Sequence, residues 1–148
     1  MTARRRRLAL VAAAASAVVL VGCSTGPSDA DRAAWSAWSE SVIGSAPDTA
    51  VGGMLAAVEG GPAATLDFAE PSPFRAVELR CIGADRAQFA LVYTAGGQTL
   101  STTQDIVCQQ GALRTPIAIP TAVQNLTAVS VSATSPEGTG MWTAQVQH

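Results

Sequence analysis

Two periodicities divide the chain. Between residues 29 and 43 the apolar positions Ala34, Trp35, Trp38 and Val42 recur at helical spacing, which predicts one amphipathic helix. Ser28 is placed to cap it, and Asp29 and Asp31 fall in its first turn, where the helix dipole favours acids. Beyond Ala63 the period shortens to two. Val77, Leu79 and Cys81 alternate with Glu78 and Arg80, and Phe89, Leu91 and Tyr93 alternate with Ala90 and Val92. Strands are predicted over residues 65–69, 74–82, 86–95, 98–108, 117–119, 126–133 and 141–147, with Trp142, Ala144 and Val146 closing the core from the last of them. Pro71-Ser72-Pro73, Gly111, Pro120 and Pro136-Glu137-Gly138 read as boundaries. Gly96-Gly97 reads as a tight hairpin, and Pro116 with Pro120 demotes 117–119 to a sheet edge. Between helix and strands, residues 44–62 hold Gly44, Pro47, Gly52, Gly53, Gly60, Gly61 and Pro62 and read as a connector, with Met54, Leu55 and Val58 forming at most a short second helix. Gly52-Gly53 reads as a turn, since no nucleotide-binding fingerprint follows it. The predicted fold is mainly β: an antiparallel β-sandwich, Greek-key or jelly-roll-like, with an N-terminal α-helix.

The first 23 residues follow a different logic. Arg4, Arg5, Arg6 and Arg7 precede an apolar run of fourteen residues, 8–21, broken only by Ser16. At about 1.5 Å per residue that run spans roughly 21 Å, short of a ~30 Å hydrocarbon core, so a secretory signal peptide over 1–22 is the better reading than a permanent span. At its end Leu20-Val21-Gly22-Cys23 resembles the lipobox of bacterial lipoproteins at all four positions. That resemblance implies diacylglycerol on the sulfur of Cys23, cleavage between Gly22 and Cys23, and a chain held at the extracytoplasmic face of the cell membrane. The competing reading is ordinary cleavage near Ala17 with Cys23 left as a thiol. Spacing and composition together favour the anchor. Two acyl chains suffice for stable residence on a bilayer. Residues 23–28 would be a short lipidated tether, 29–62 the helix and Gly-rich connector, and 63–148 the sandwich. Four consecutive Arg fit a twin-arginine pattern in several registers, which leaves both export routes open.

Composition bounds the rest. The chain has 148 residues, 48% hydrophobic and 14% charged, which suits one modest domain and excludes a disordered polymer. Its net charge is −2, but Lys is absent, and from residue 23 onward five Arg face eleven acids, a net −6. Such a body repels phosphate backbones, so nucleic acid is not expected as a partner.

With Cys23 assigned to lipid, Cys81 and Cys108 remain in an oxidising compartment and are expected to form one disulfide, contributing roughly 3 kcal/mol. There is no Cys-x-x-Cys, and the only His is His148, so neither redox work nor a metal is expected. In a simple meander of 74–82, 86–95 and 98–108 the two Cys would stand two strands apart, roughly 9.6 Å. Bridged Cα atoms lie within about 7 Å, so the Cys strands must be neighbours or must face one another across two sheets. The segments 77–83, 105–108 and 140–146, a strand ending in Cys-x-Gly, a second ending in Cys and a closing Trp strand, resemble small actinobacterial lipoproteins of unassigned function. The resemblance implies a fold more than an activity.

Candidate chemistry is sparse. With no Lys, one Tyr and a terminal His, acid–base work would fall to carboxylates: Asp67 with Glu70, or Glu78 with Asp85. Alternation places Glu78 on the solvent face of its strand and Asp85 in a turn beside Arg86, so solvated charges explain them better. No catalytic residue, cofactor or metal is assigned. Trp35 and Trp38 share a helix face and form either a binding platform or, more simply, the stripe that docks the helix. The sequence points to a non-catalytic envelope module that binds a protein or glycan through a sandwich face, its loop ends or the Trp helix. The alternative is a divergent glycan hydrolase dependent on Asp67 or Glu78.

Overall fold

The computed structural model describes residues 26–148. The expected signal peptide over 1–22, with the lipobox-like Leu20, Val21 and Gly22, and the expected lipidation site Cys23 lie outside the described residues. The described chain runs through helix α1 (Asp29–Gly44) and eight strands: β1 (Ala50–Met54), β2 (Ala64–Pro73), β3 (Ala76–Ile82), β4 (Arg86–Ala95), β5 (Gln98–Val107), β6 (Thr115–Ala118), β7 (Asn125–Thr134) and β8 (Met141–Gln147).

The strands form two four-stranded sheets, β1-β8-β3-β6 and β2-β7-β4-β5, and every pairing is antiparallel. β1 lies with β8, β2 with β7, β3 with β6 and β4 with β5. The chain is thus one long double ribbon that starts at the β4–β5 hairpin and wraps alternately onto the two sheets, which is the jelly-roll order. Gly96 and Gly97 close that hairpin with φ of 54° and 79°, the paired positive values a two-residue turn demands. Inward positions follow the sequence alternation: Val77, Leu79 and Cys81 on β3, Phe89, Leu91 and Tyr93 on β4, and Trp142, Ala144 and Val146 on β8 are all buried. The Trp142 ring meets Phe89 edge-on, with centroids 6.0 Å apart, and its indole N–H donates to the Met54 carbonyl at 3.2 Å.

Cys81 and Cys108 are bridged, with Cα atoms 4.6 Å apart. Cys81 belongs to β3 in one sheet, and Cys108 follows β5 in the other, while the intervening β4 pairs with β5. The bond therefore joins the two sheets, one of the two arrangements the cysteine spacing allowed.

The region 44–62 departs from the sequence reading. Residues 50–54 are neither turn nor helix but β1, the edge strand beside β8. The two glycines are there for close approach. A Cβ on Gly52 would stand 2.6 Å from the Trp142 carbonyl oxygen and 3.1 Å from Ser39 Oγ of α1, and one on Gly53 would stand 3.1 Å from the Trp142 ring. β2 likewise runs on through Pro71 and Pro73, positions that read as a boundary. As an edge strand it tolerates missing N–H donors, and its register with β7 shifts between Asp67 and Ser72.

Helix α1 packs on β8 and β1 across the outer face of the first sheet. Ser28 caps it with a reciprocal box: the Asp31 amide donates to Ser28 Oγ at 3.1 Å, and the Ser28 amide donates to Asp31 Oδ2 at 3.0 Å. Hydrogen bonds from the Ser28 hydroxyl and amide hold the Asp31 carboxyl below its ordinary value. The first sheet is therefore covered on its outer face over β1 and β8. Among the described residues the second has no helix packed on its outer face, which Glu59 and Gly60 of the β1–β2 connection border.

Candidate functional site

Trp35 and Trp38 lie half-buried under α1, each against a glycine. The Trp35 ring lies over Gly83, two residues after Cys81, and the Trp38 ring lies over Gly111, three residues after Cys108. A Cβ on Gly111 would stand 2.6 Å from the Trp38 indole, and one on Gly83 would stand 2.8 Å from Trp35. Gly111 reaches this position through a left-handed turn in which Gln109 and Gln110 take φ of 40° and 53°, a conformation that costs L-residues energy. The two Trp thus clamp the helix onto the disulfide end of the sandwich. Neither joins the buried core cluster between the sheets.

Beside Trp35 the helix leaves a groove of about 430 Å³. Pro27, Trp35, Met54 and Met141 give it apolar walls, and the backbone of the Gly138–Gly140 turn forms one side. Ser36 Oγ lies 3.7 Å from the Met141 sulfur. Arg32 is also among its lining residues, donating to the Pro27 carbonyl at 2.7 Å and to Asp29 Oδ1 at 2.6 Å. Met54 is 67% exposed and Val58 is 71% exposed, the most exposed large apolar side chains among the described residues. Val58 follows Ala57, whose backbone and Cβ abut Gly138 of the groove turn.

The outer face of the second sheet has a different character. Its outward positions are small and hydroxyl-rich, with Thr65 and Ser130 hydrogen-bonded across β2 and β7 at 3.1 Å, and Thr103 of β5 opposite Ala90 of β4. Two shallow grooves of about 360 and 260 Å³ cross it. Glu59, Gln88 and Thr134 line both, with Arg86 and Asp105 in the first and Ser132 and Thr103 in the second.

The carboxylates considered for acid–base work do not converge. Asp67 and Glu70 are exposed on β2, and Asp85 is exposed in the turn between β3 and β4. Glu78 corrects the sequence reading. Alternation does aim it away from the core, but that face is not solvent, and Glu78 is only 7% exposed. Its Oε2 accepts from Gln147 Nε2 at 2.9 Å, and its Oε1 lies 3.8 Å from Arg114 Nε and 3.9 Å from Arg80 Nε. With two guanidiniums around it, the carboxylate closes a charge cluster on the strand; it does not flank a cleft. Asp67 lies on the outer face of the opposite sheet. Among the described residues no three His, Cys, Asp or Glu gather as a metal site, and no helix is long and apolar enough to cross a membrane.

The one tyrosine, Tyr93, is fully buried, and its hydroxyl has no hydrogen-bond partner among the described residues. Burial pushes its pKa up to about 12. Met54, Met141 and the Gly138–Gly140 turn carry no local mark in the sequence, because the groove forms only when β8 and β1 pair beneath α1. Gly83 and Gly111 do carry a signal, glycine shortly after each Cys.

Fold and surfaces together define a disulfide-bridged jelly-roll sandwich with a helix clamped over one sheet and, among the described residues, none over the other. No family model matches the chain, and no curated protein matches it in sequence.

Proposed function

We propose that this chain is a lipid-anchored, non-catalytic module of the cell envelope that binds a protein or glycan through the open face of the second sheet. The observation that carries the reading is the asymmetry of the sandwich: α1 packs on the outer face of the first sheet over β1 and β8, and the other sheet presents hydroxyl and amide side chains with two shallow grooves that Glu59, Arg86 and Asp105 also line. Such a face offers many hydrogen-bond partners. The anchor rests on the lipobox at residues 20–23 and on the basic and apolar stretch before it. In this reading the Cys23 thiol displaces the phosphate headgroup of a diacylglyceryl phospholipid. An S–C bond forms, a C–O bond breaks, and the thiol proton leaves with the headgroup phosphate.

The reading is tested by titrating the domain from Ser24 onward with wall-glycan fragments, and by placing a photo-crosslinker at residue 103 in cells. Binding of either kind that is lost in Ser132→Arg and kept in Trp35→Phe supports the open face as the site. Binding untouched by Ser132→Arg, or neither glycan binding nor a discrete crosslinked partner, overturns it.

A further inference from the structure

We infer that β5 pairs edge to edge with β5 of a second copy of this chain, joining two β2-β7-β4-β5 sheets into one antiparallel sheet. This goes beyond the proposed binding role and does not depend on the lipid anchor. It starts from a contrast among the four sheet edges. Three are guarded: β1 is five residues long and packs against α1, β6 is four residues long and holds Pro116, and β2 carries Pro71, Pro73 and a register shift. The fourth, β5, runs ten residues from Gln98 to Val107, pairs with β4 in unbroken register, holds no Pro and carries one charge, Asp105. Leu100 and Val107, two of the four exposed large apolar side chains among the described residues, stand on it.

Backbone parity fixes what the free edge offers. The Cys108 amide donates to the Asp85 carbonyl at 2.9 Å, which marks that pair as hydrogen-bonded, and such pairs alternate with non-hydrogen-bonded ones along an antiparallel ladder. The even residues of β5 therefore bond to β4. The N–H and C=O groups of Thr99, Ser101, Thr103, Asp105 and Val107 point to the free edge, where no backbone group among the described residues meets them. This row is complementary to itself. With a two-fold axis at Thr103, Thr103 faces Thr103 of the second copy, Ser101 faces Asp105 and Thr99 faces Val107, so all five residues find a hydrogen-bonded opposite. The one carboxylate then meets a hydroxyl donor and never its own counterpart, and Leu100 falls opposite Ile106 on the inner side. β5 itself supplies the matching strand, which makes a second copy the fitting occupant. Pairing in this register sets the outer faces of the two sheets side by side.

The test is native mass spectrometry of the full chain, expressed in bacteria and extracted in mild detergent, which counts the copies in each complex whether or not lipid is attached. The expected result is a two-copy species. Ser101→Pro removes an N–H that serves only the free edge, where proline is tolerated, so the fold should persist and the pair should be lost. Thr103→Lys and Thr103→Asp, at an exposed position, each set like charges on residues whose Cα atoms lie about 5.5 Å apart across the axis, and each should give single copies. Mixed together, the two variants should restore a pair containing one of each, a result that reads the register and needs no proline variant. Ser132 lies two strands from this edge, so Ser132→Arg tests the open face separately, and a residue-103 crosslink of twice the chain's mass reports this pairing and not another partner. Single copies of the unaltered chain at every concentration would overturn the inference, as would pairs that persist in Thr103→Lys. A complex with a different protein that is lost in Ser101→Pro, without any two-copy species, would assign the edge to a foreign strand and overturn it as well.

Discussion

Replacing Gly111 by alanine tests the clamp that joins helix to sandwich. The added Cβ would stand 2.6 Å from the Trp38 indole, far inside contact distance, at a backbone φ of +77°. The left-handed backbone alone costs an L-residue about 1–2 kcal/mol. Forcing a rigid ring to lift adds about 1–3 kcal/mol of overpacking. Gly111→Ala should therefore destabilise the domain by about 2–5 kcal/mol, read as a shift in the urea midpoint followed by far-ultraviolet circular dichroism, with the slope unchanged. Trp38→Ala should cost about 2 kcal/mol, less than a fully buried Trp because the ring is only half-buried. The double variant is decisive. With the ring gone, only the backbone cost of Gly111→Ala remains, so the two changes should couple by about 1–3 kcal/mol. Additivity within about 0.5 kcal/mol would refute the stacking of Trp38 on Gly111.

Three further outcomes follow from the packing. Replacing both Cys81 and Cys108 by alanine opens a loop of sequence separation 27 and should cost about 3.5 kcal/mol by chain entropy, measured by urea denaturation against the oxidised protein. Tyr93 titrates near 10 when unfolded and near 12 when folded, so above pH 10 the unfolded chain sheds a proton that the folded chain keeps, and stability falls as pH rises from about 10 to 12, by about 2–3 kcal/mol. Because Tyr93 is the only tyrosine, tyrosinate absorbance reads it directly, and Tyr93→Phe, which removes an unpartnered hydroxyl, should be neutral or stabilising by about 1 kcal/mol while abolishing the absorbance change. Glu78→Ala leaves the Arg80 guanidinium buried without its carboxylate and should cost about 3 kcal/mol, whereas Arg114→Ala, at a side chain 64% exposed, should cost under about 1 kcal/mol; equal losses would contradict the cluster.

How much of this is legible in the sequence depends on whether the signal is local. The helix is, because Ser28, the two first-turn acids and the Trp spacing act within one element. The β4–β5 hairpin is, because Gly96-Gly97 sets its own turn. The cysteine pair reaches further: strand spacing against disulfide reach excludes the meander and leaves the cross-sheet arrangement as one of two. β1 is hidden because its glycines answer to Trp142 and Ser39, residues distant in sequence, and a glycine kept for close approach looks like one kept for a turn. Glu78 is misread for a related reason. Alternation assigns a face, but whether that face meets water depends on Arg80, Arg114 and Gln147 closing around it. The methionine groove has no local signature, being assembled from α1, β1 and the turn before β8.

Retention at the membrane through Cys23 is the claim on which the proposed function turns. Intact mass spectrometry of the protein extracted from its own membrane fraction, with and without reductant, tests this most directly. The expected species begins at Cys23, carries the mass of a diacylglyceryl group, and gains the mass of two hydrogens on reduction as the Cys81–Cys108 bond opens. A species that retains residues 1–22, or one that begins elsewhere and carries no lipid, would contradict it.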